Sequence, residues 1–155
     1  MDKAAIYRDL KAEIDAVVAG ESSLTARYAT ASCILAQAFK PRFFWTGFYL
    51  VDPLKDRELV VGPYQGTLGC LRIPFGKGVC GHAAATGEPV IVPDVHDFPG
   101  HIACDSASNS EIVVPVFDAE GNLAAVLDVD STEFDAFDDV DRDGLVAICE
   151  TLLVA

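Results

Sequence analysis

Residues Ser110–Ser131 read SEIVVPVFDAEGNLAAVLDVDS, two apolar, β-branched runs on either side of the turn-forming Asp118-Ala-Glu-Gly-Asn122. Such a pattern predicts an antiparallel hairpin with strands Ser110–Phe117 and Leu123–Ser131. A two-residue Glu120-Gly121 loop would pair Ala119 with Asn122, setting Val113 opposite Asp128 and Glu111 opposite Asp130. A bulge at Gly121 would displace that register by one. Side chains on a strand alternate between faces. Asp128 and Asp130 then share a face with Ala124 and Val126, Leu123, Leu127 and Val129 take the other, and Glu111 lies with Val113 and Phe117. Opposed residues stand roughly 4.5–5.5 Å apart at Cβ, so Glu111, Asp128 and Asp130 gather on one patch of sheet. Mutual repulsion raises at least one pKa, leaving an acid that can donate a proton near neutral pH. The remaining negative charge favours a cationic ligand such as an ammonium group. The alternative is a solvated sheet face with no ligand.

Outward from the hairpin, Phe43–Val51, Glu58–Val61, Thr67–Ile73 and Pro89–Val92 also read as strands. On the first of these, Trp45, Gly47 and Tyr49 share one face, a glycine gap between two aromatic rings. Ile6, Leu10, Ile14 and Val17 recur at helical spacing and predict a helix over Lys3–Ala19, ended by Gly20. Ser22 or Ser23 caps a second helix running to Phe39, before Pro41 blocks continuation. Gly78–Thr86 is Ala-rich and reads as a short helix, and Phe98–Asn109 as a long loop. A last helix starts near Asp138, where Asp141 completes a box-like cap, and runs to the C-terminus. Helices at both ends of an antiparallel-leaning sheet make an α+β arrangement.

The 155 residues suit one domain over 1–155, with no internal repeat, low-complexity tract or linker. About half of the chain is apolar, and the net charge is −13. That charge argues against nucleic acid and anionic membranes as partners, since both need clustered Lys and Arg. Six acids crowd into Glu133–Asp143, which reads as a solvated loop entering a helix. No apolar stretch is long enough to span a bilayer, and the first residues lack a signal peptide's apolar core. Five cysteines in such a chain point to a reducing compartment, hence a cytoplasmic location.

Cys33 and Cys149 fall on the amphipathic terminal helices and read as buried structural thiols. Cys70, Cys80 and Cys104 lie instead in glycine-containing irregular segments, GTLGC, GKGVCGH and FPGHIACDSAS. Loops of this kind carry reactive groups. A nucleophilic cysteine needs thiolate character and a second thiol within reach. His101, three residues before Cys104, is placed either to influence its ionisation or to serve only as a hydrogen-bonding loop residue, whereas His82 and His96 have no special claim. Zinc on Cys70, Cys80, His82, His101 and Cys104 is the competing chemistry. It lacks a C-x-x-C pair or an H-E-x-x-H element, so no metal is expected. No Walker loop, dinucleotide fingerprint or G-x-S-x-G elbow occurs.

The strings FFWTGFYLVD (43–52), GPYQGTLGCLRIPFGKGVCGHAA (62–84), VPDVHDFPGHIACDSASNSEIVVPV (92–116) and LDVDS (127–131) resemble those of free methionine-R-sulfoxide reductases. These are single-domain enzymes on the GAF fold, and the similarity covers essentially the whole chain. The resemblance implies a central antiparallel sheet of five or six strands with the N- and C-terminal helices on one face. It implies Cys104 as the catalytic cysteine, Cys70 as the usual resolving partner and Cys80 as a third cysteine in the role of a backup resolver. It places the substrate against Trp45, Tyr49, Glu111, Asp128 and Asp130. It further implies a homodimer with no bound cofactor, recycled by thioredoxin with NADPH as the source of electrons through thioredoxin reductase.

On that reading Cys104 attacks the sulfoxide sulfur while an acid of the Glu111/Asp128/Asp130 group protonates the oxygen, which leaves poorly otherwise. Methionine departs, Cys104 becomes a sulfenic acid, and Cys70 condenses with it to a disulfide open to thiol exchange. Trp45 packs against the substrate methyl, and carboxylates hold the free ammonium. Two rivals stand beside it. GAF folds also serve as small-ligand sensors, because fold alone does not fix function. A peroxide-responsive redox switch would use the same cysteines without sulfoxide turnover.

Overall fold

A computed structural model describes residues 2–102 and 104–154. Six strands form one antiparallel sheet in the order β3-β2-β1-β6-β5-β4: β1 Trp45–Val51, β2 Glu58–Gln65, β3 Arg72–Pro74, β4 Val90–Val92, β5 Ser110–Phe117 and β6 Leu123–Ser131. Helices α1 Lys3–Val18, α2 Leu24–Ala38 and α4 Asp139–Leu152 cover one face, and the short α3 Gly78–Thr86 covers the other.

The helix ends follow their capping residues. Asp2 caps α1 and Ser23 caps α2 through side-chain acceptors. Asp138 and Asp141 form a reciprocal capping box at α4, satisfying two donors that the first turn leaves free. Asp141 also corrects one expectation, since the acidic stretch 133–143 is not uniformly solvated. The side chain of Asp141 is fully buried, accepting from Tyr7 Oη at 2.6 Å, Lys3 Nζ at 2.9 Å and Arg42 at 3.2 Å. Cys149 is buried as expected, but Cys33 is exposed on the outer face of α2.

Alternation on the central strands separates two cores. Phe48, Ile112, Val114, Leu127 and Val129 meet the terminal helices, while Trp45, Tyr49, Val113 and Val126 face α3. Each fully buried Leu or Val contributes roughly 1.5–3 kcal/mol. Glu111 pairs with Asp130 and Val113 with Asp128, in the expected register, but the turn that delivers it differs. Asp118 and Asn122 close a three-residue loop whose last member, Gly121, takes φ 83°, a left-handed conformation. Phe117 therefore pairs with Leu123, Val116 with Ala125, and the intervening Ala124 is bulged out. The bulge restores the register and turns Leu123 over. Leu123 packs with the α3-side core, not beside Leu127 and Val129 as strict alternation predicts.

Two strand boundaries also move. β2 runs on to Gln65, and residues 67–71 are loop, so that β3 keeps only Arg72–Pro74 of the expected Thr67–Ile73. Among the described residues no helix is long and apolar enough to cross a membrane.

Candidate active site

On the α3 face a pocket opens between the sheet, the first turn of α3 and two loops, 66–71 and 98–109. Its floor is the sheet. Trp45 and Tyr49 project from β1, four residues apart, with rings stacked at 5.6 Å, and Tyr64 of β2 stacks on the indole at 4.9 Å. Trp45 Nε1 donates to the Thr67 carbonyl at 2.8 Å, and the Cys70 backbone N–H hydrogen-bonds Tyr49 Oη. The aromatic floor thereby holds the 66–71 loop. Gly69 belongs to the same fit, because a Cβ there would stand 2.9 Å from the Trp45 ring and 3.2 Å from Tyr49 Oη.

Glu111, Asp128 and Asp130 line the pocket together, from β5 and β6. Glu111 and Asp128 are buried, Asp130 half-buried. Burial is the first cause that pushes all three carboxyls up, and repulsion among them adds to it; Glu111 reaches about 8. Asp128 lies between the other two, and its buried Oδ1 finds no donor. Glu111 therefore carries a proton at neutral pH, and Asp128 Oδ1 offers an acceptor that no donor among the described residues fills.

Cys80, in the first turn of α3, is buried at the same floor with Sγ 3.9 Å from Glu111 Oε2. Burial, then the neighbouring carboxyls, push its thiol well above the ordinary range. His101 also lines the pocket, with Nε2 3.7 Å from Glu111 Oε1. Because burial pushes the imidazole down and Glu111 holds its proton at neutral pH, the two meet as neutral groups.

One wall of the pocket carries a disulfide. Cys70 and Cys104 form a disulfide, Cα–Cα 5.3 Å, that joins the 66–71 and 98–109 loops, and Thr67 Oγ1 donates to Asp105 at 2.6 Å beside it. Cys104 is exposed and lines the pocket; Cys80 remains a free thiol. With the loops joined, the space inside is about 40 Å³, room for a few waters.

Of the residues read from sequence, Trp45, Tyr49, Cys80, Cys104, Glu111, Asp128 and Asp130 line this one pocket, and Cys70 reaches it through the disulfide. His82 stands apart with its ring against Phe98, and His96 is paired with Asp94. Sequence reasoning found α3 at Gly78–Thr86 but missed that its start lines the pocket. Lys77, Gly78 and Val79 line the pocket, and the helix has no side-chain cap there, so its first-turn N–H groups are available to an anion. The Gly76-Lys-Gly78 turn before an Ala-rich run was the available signal. Asp105, the Thr67 partner, carried none. Among the described residues, Cys80, Glu111 and Asp128 also offer ligand atoms within 4.8 Å of one another, a set able to hold a metal ion.

Residues 35–155 match the GAF domain family model. The chain is 47% identical over 145 residues to the free methionine-R-sulfoxide reductase of Escherichia coli K12, covering 94% of this chain and 85% of that protein. To the free methionine-R-sulfoxide reductase of Saccharomyces cerevisiae it is 37% identical over 155 residues, 98% and 86% of the two chains. The X-ray structure of the free methionine-R-sulfoxide reductase of Neisseria meningitidis in complex with its substrate superposes with a TM-score of 0.92 at 48% identity, over 98% of this chain and 89% of that one.

Proposed function

The chain belongs to the free methionine-R-sulfoxide reductases, a GAF-fold family, and on that footing we propose that it reduces free L-methionine (R)-S-oxide to methionine. One observation supports this above others. The exposed Cys104 and the carboxyls of Glu111, Asp128 and Asp130, all pushed up by burial, line a single pocket, and Cys104 is already bonded to a second cysteine.

The reduced Cys104 is the nucleophile. His101, a neutral imidazole in the same pocket, is the base available to take its thiol proton. The thiolate attacks the sulfoxide sulfur, and a carboxylic acid of the floor protonates the sulfoxide oxygen as the S–O bond breaks. Glu111, pushed up to about 8, is a proton donor matched to neutral pH. The oxygen leaves as water, and Cys104 Sγ is joined to the substrate sulfur as a thiosulfonium. Water then attacks Cys104 Sγ and breaks that S–S bond: methionine departs with the electron pair, and Cys104, oxidised by two electrons, is left as a sulfenic acid. Cys70 then attacks Cys104 Sγ, water leaves, and the disulfide forms.

A free amino acid fits the rest of the pocket. The Asp128 acceptor without a donor suits the ammonium, the uncapped start of α3 with Lys77 suits the carboxylate, and Trp45 suits the sulfoxide methyl. A methionine inside a polypeptide has neither charge to offer, so peptide sulfoxides are excluded. Turnover needs a dithiol reductant, for which thioredoxin supplied by NADPH through thioredoxin reductase is the proposed source; no bound cofactor is required. Leu68 and Leu71, exposed beside the disulfide, favour an apolar docking partner of that kind. A cytoplasmic homodimer completes the reading, favoured by three unpaired cysteines and by exposed apolar side chains such as Val17 and Leu24.

NADPH consumption coupled through thioredoxin, run with free and peptide-bound R and S sulfoxides, tests it. Turnover confined to the free R epimer is expected. Equal rates on peptide substrates, or thiol oxidation by peroxide with no sulfoxide turnover, would replace the reductase by the switch.

A further inference from the structure

Cys80 has no part in the disulfide, yet its thiol is buried at the pocket floor. We propose that Cys80, Glu111 and Asp128 form a binding site for a thiophilic divalent cation of the Zn²⁺ type, and that occupation of this site shuts out the sulfoxide substrate.

The donors come from three elements, the first turn of α3, β5 and β6, all packed into the core, so their positions are preset. Their ligand atoms lie within 4.8 Å of one another, and the Cys80–Glu111 separation is 3.9 Å. Ligands around a tetrahedral zinc at about 2.0–2.3 Å stand roughly 3.5 Å apart, so rotamer adjustments of an ångström or less complete the shell. His101, 3.7 Å from Glu111, or a water is at hand as fourth ligand.

Asp128 Oδ1 is the second, independent sign. Asp128 is 5% exposed and lines the cavity, and while its side chain meets Cys80, Glu111 and Asp130, this one oxygen finds no donor among the described residues. One thiolate with two carboxylates selects a borderline-soft ion over Mg²⁺ or Ca²⁺, which take oxygen ligands alone. An ion held there supplies the positive charge that a buried thiol and two buried carboxyls otherwise lack. The 40 Å³ of space inside the disulfide form admits an ion and a water or two.

Cation binding itself is independent of the proposed reaction; only the exclusion of substrate rests on it. The probe is Cd²⁺ titrated into the disulfide form, in which Cys70 and Cys104 offer no thiolate. One equivalent should bind with the ultraviolet thiolate-to-cadmium absorption. The band should vanish in Cys80→Ser and persist in Cys33→Ser, and Glu111→Gln and Asp128→Asn should each weaken calorimetric affinity by at least tenfold. A band that survives in Cys80→Ser, affinity unchanged in both carboxyl variants, or no saturable binding overturns the site. In the Cys104→Ser chain, which binds substrate without turning it over, Zn²⁺ should lower the affinity for free methionine sulfoxide at least tenfold. If Cd²⁺ binds through Cys80 but sulfoxide affinity does not move, the cation site stands and the placement of substrate on these carboxyls falls.

Discussion

At the scale of single residues, Glu111 is where stability and chemistry pull against each other. Its folded pKa, about 8, lies above the ordinary 4.5, so between those values the folded chain holds a proton that the unfolded chain has released. Folding stability therefore declines as pH rises through that window. Glu111→Gln removes the penalty and should raise the melting temperature at pH 7.5 by about 2–8 °C. The same change deletes the proposed proton donor, and kcat should fall about a hundredfold or more. In the unaltered protein kcat should decline above about pH 8 as Glu111 ionises, a limb that a pH–rate profile would show missing from Glu111→Gln. A variant that melted lower yet kept full kcat would deny Glu111 both roles. Alternation and strand pairing made this carboxyl cluster legible in the sequence. The demotion of Cys33 to the surface was not legible, because an amphipathic helix with a small thiol near its boundary reads either way.

At the scale of elements, the β5–β6 hairpin shows a right register reached by an unexpected path. Gly121 builds a three-residue turn and the Ala124 bulge absorbs the odd residue. Alternation alone has no term for a bulge, which is why Leu123 was assigned to the wrong face. Gly121→Ala should cost about 1 kcal/mol in urea unfolding, since φ 83° is poorly tolerated with a Cβ. The 66–71 loop was read as strand because its Leu and Cys residues are apolar, whereas it serves to hang Cys70 over the aromatic floor. Gly69→Ala would press a methyl onto Trp45 and Tyr49. We expect KM for the sulfoxide to rise about tenfold with kcat little changed, since uniform binding is what is lost. An unaltered KM would remove the aromatic pair from the substrate site.

Across the whole molecule, the sheet keeps structure on one face and chemistry on the other. The helical face is tied by Asp141, which joins α1 through Tyr7 and Lys3 to Arg42 in the loop before β1. Asp141→Ala strips the buried Tyr7 hydroxyl and the half-buried Lys3 and Arg42 of their shared acceptor and should cost about 1–3 kcal/mol of stability by denaturant titration, with KM unaffected in the surviving folded protein. The overall α+β layering was legible from strand and helix periodicity together with capping residues. The uncapped start of α3 was not, because which helix end faces a pocket is decided by tertiary packing and not by local pattern. The other face depends on sulfur meeting acid, and a single turnover without any reductant tests that most directly. Fully reduced protein is mixed with excess free methionine (R)-sulfoxide, methionine is counted, and the resulting disulfide is mapped by peptide mass. One methionine per chain with a Cys70–Cys104 bond, and none from Cys104→Ser, is the predicted result; stoichiometric methionine from Cys104→Ser would contradict it.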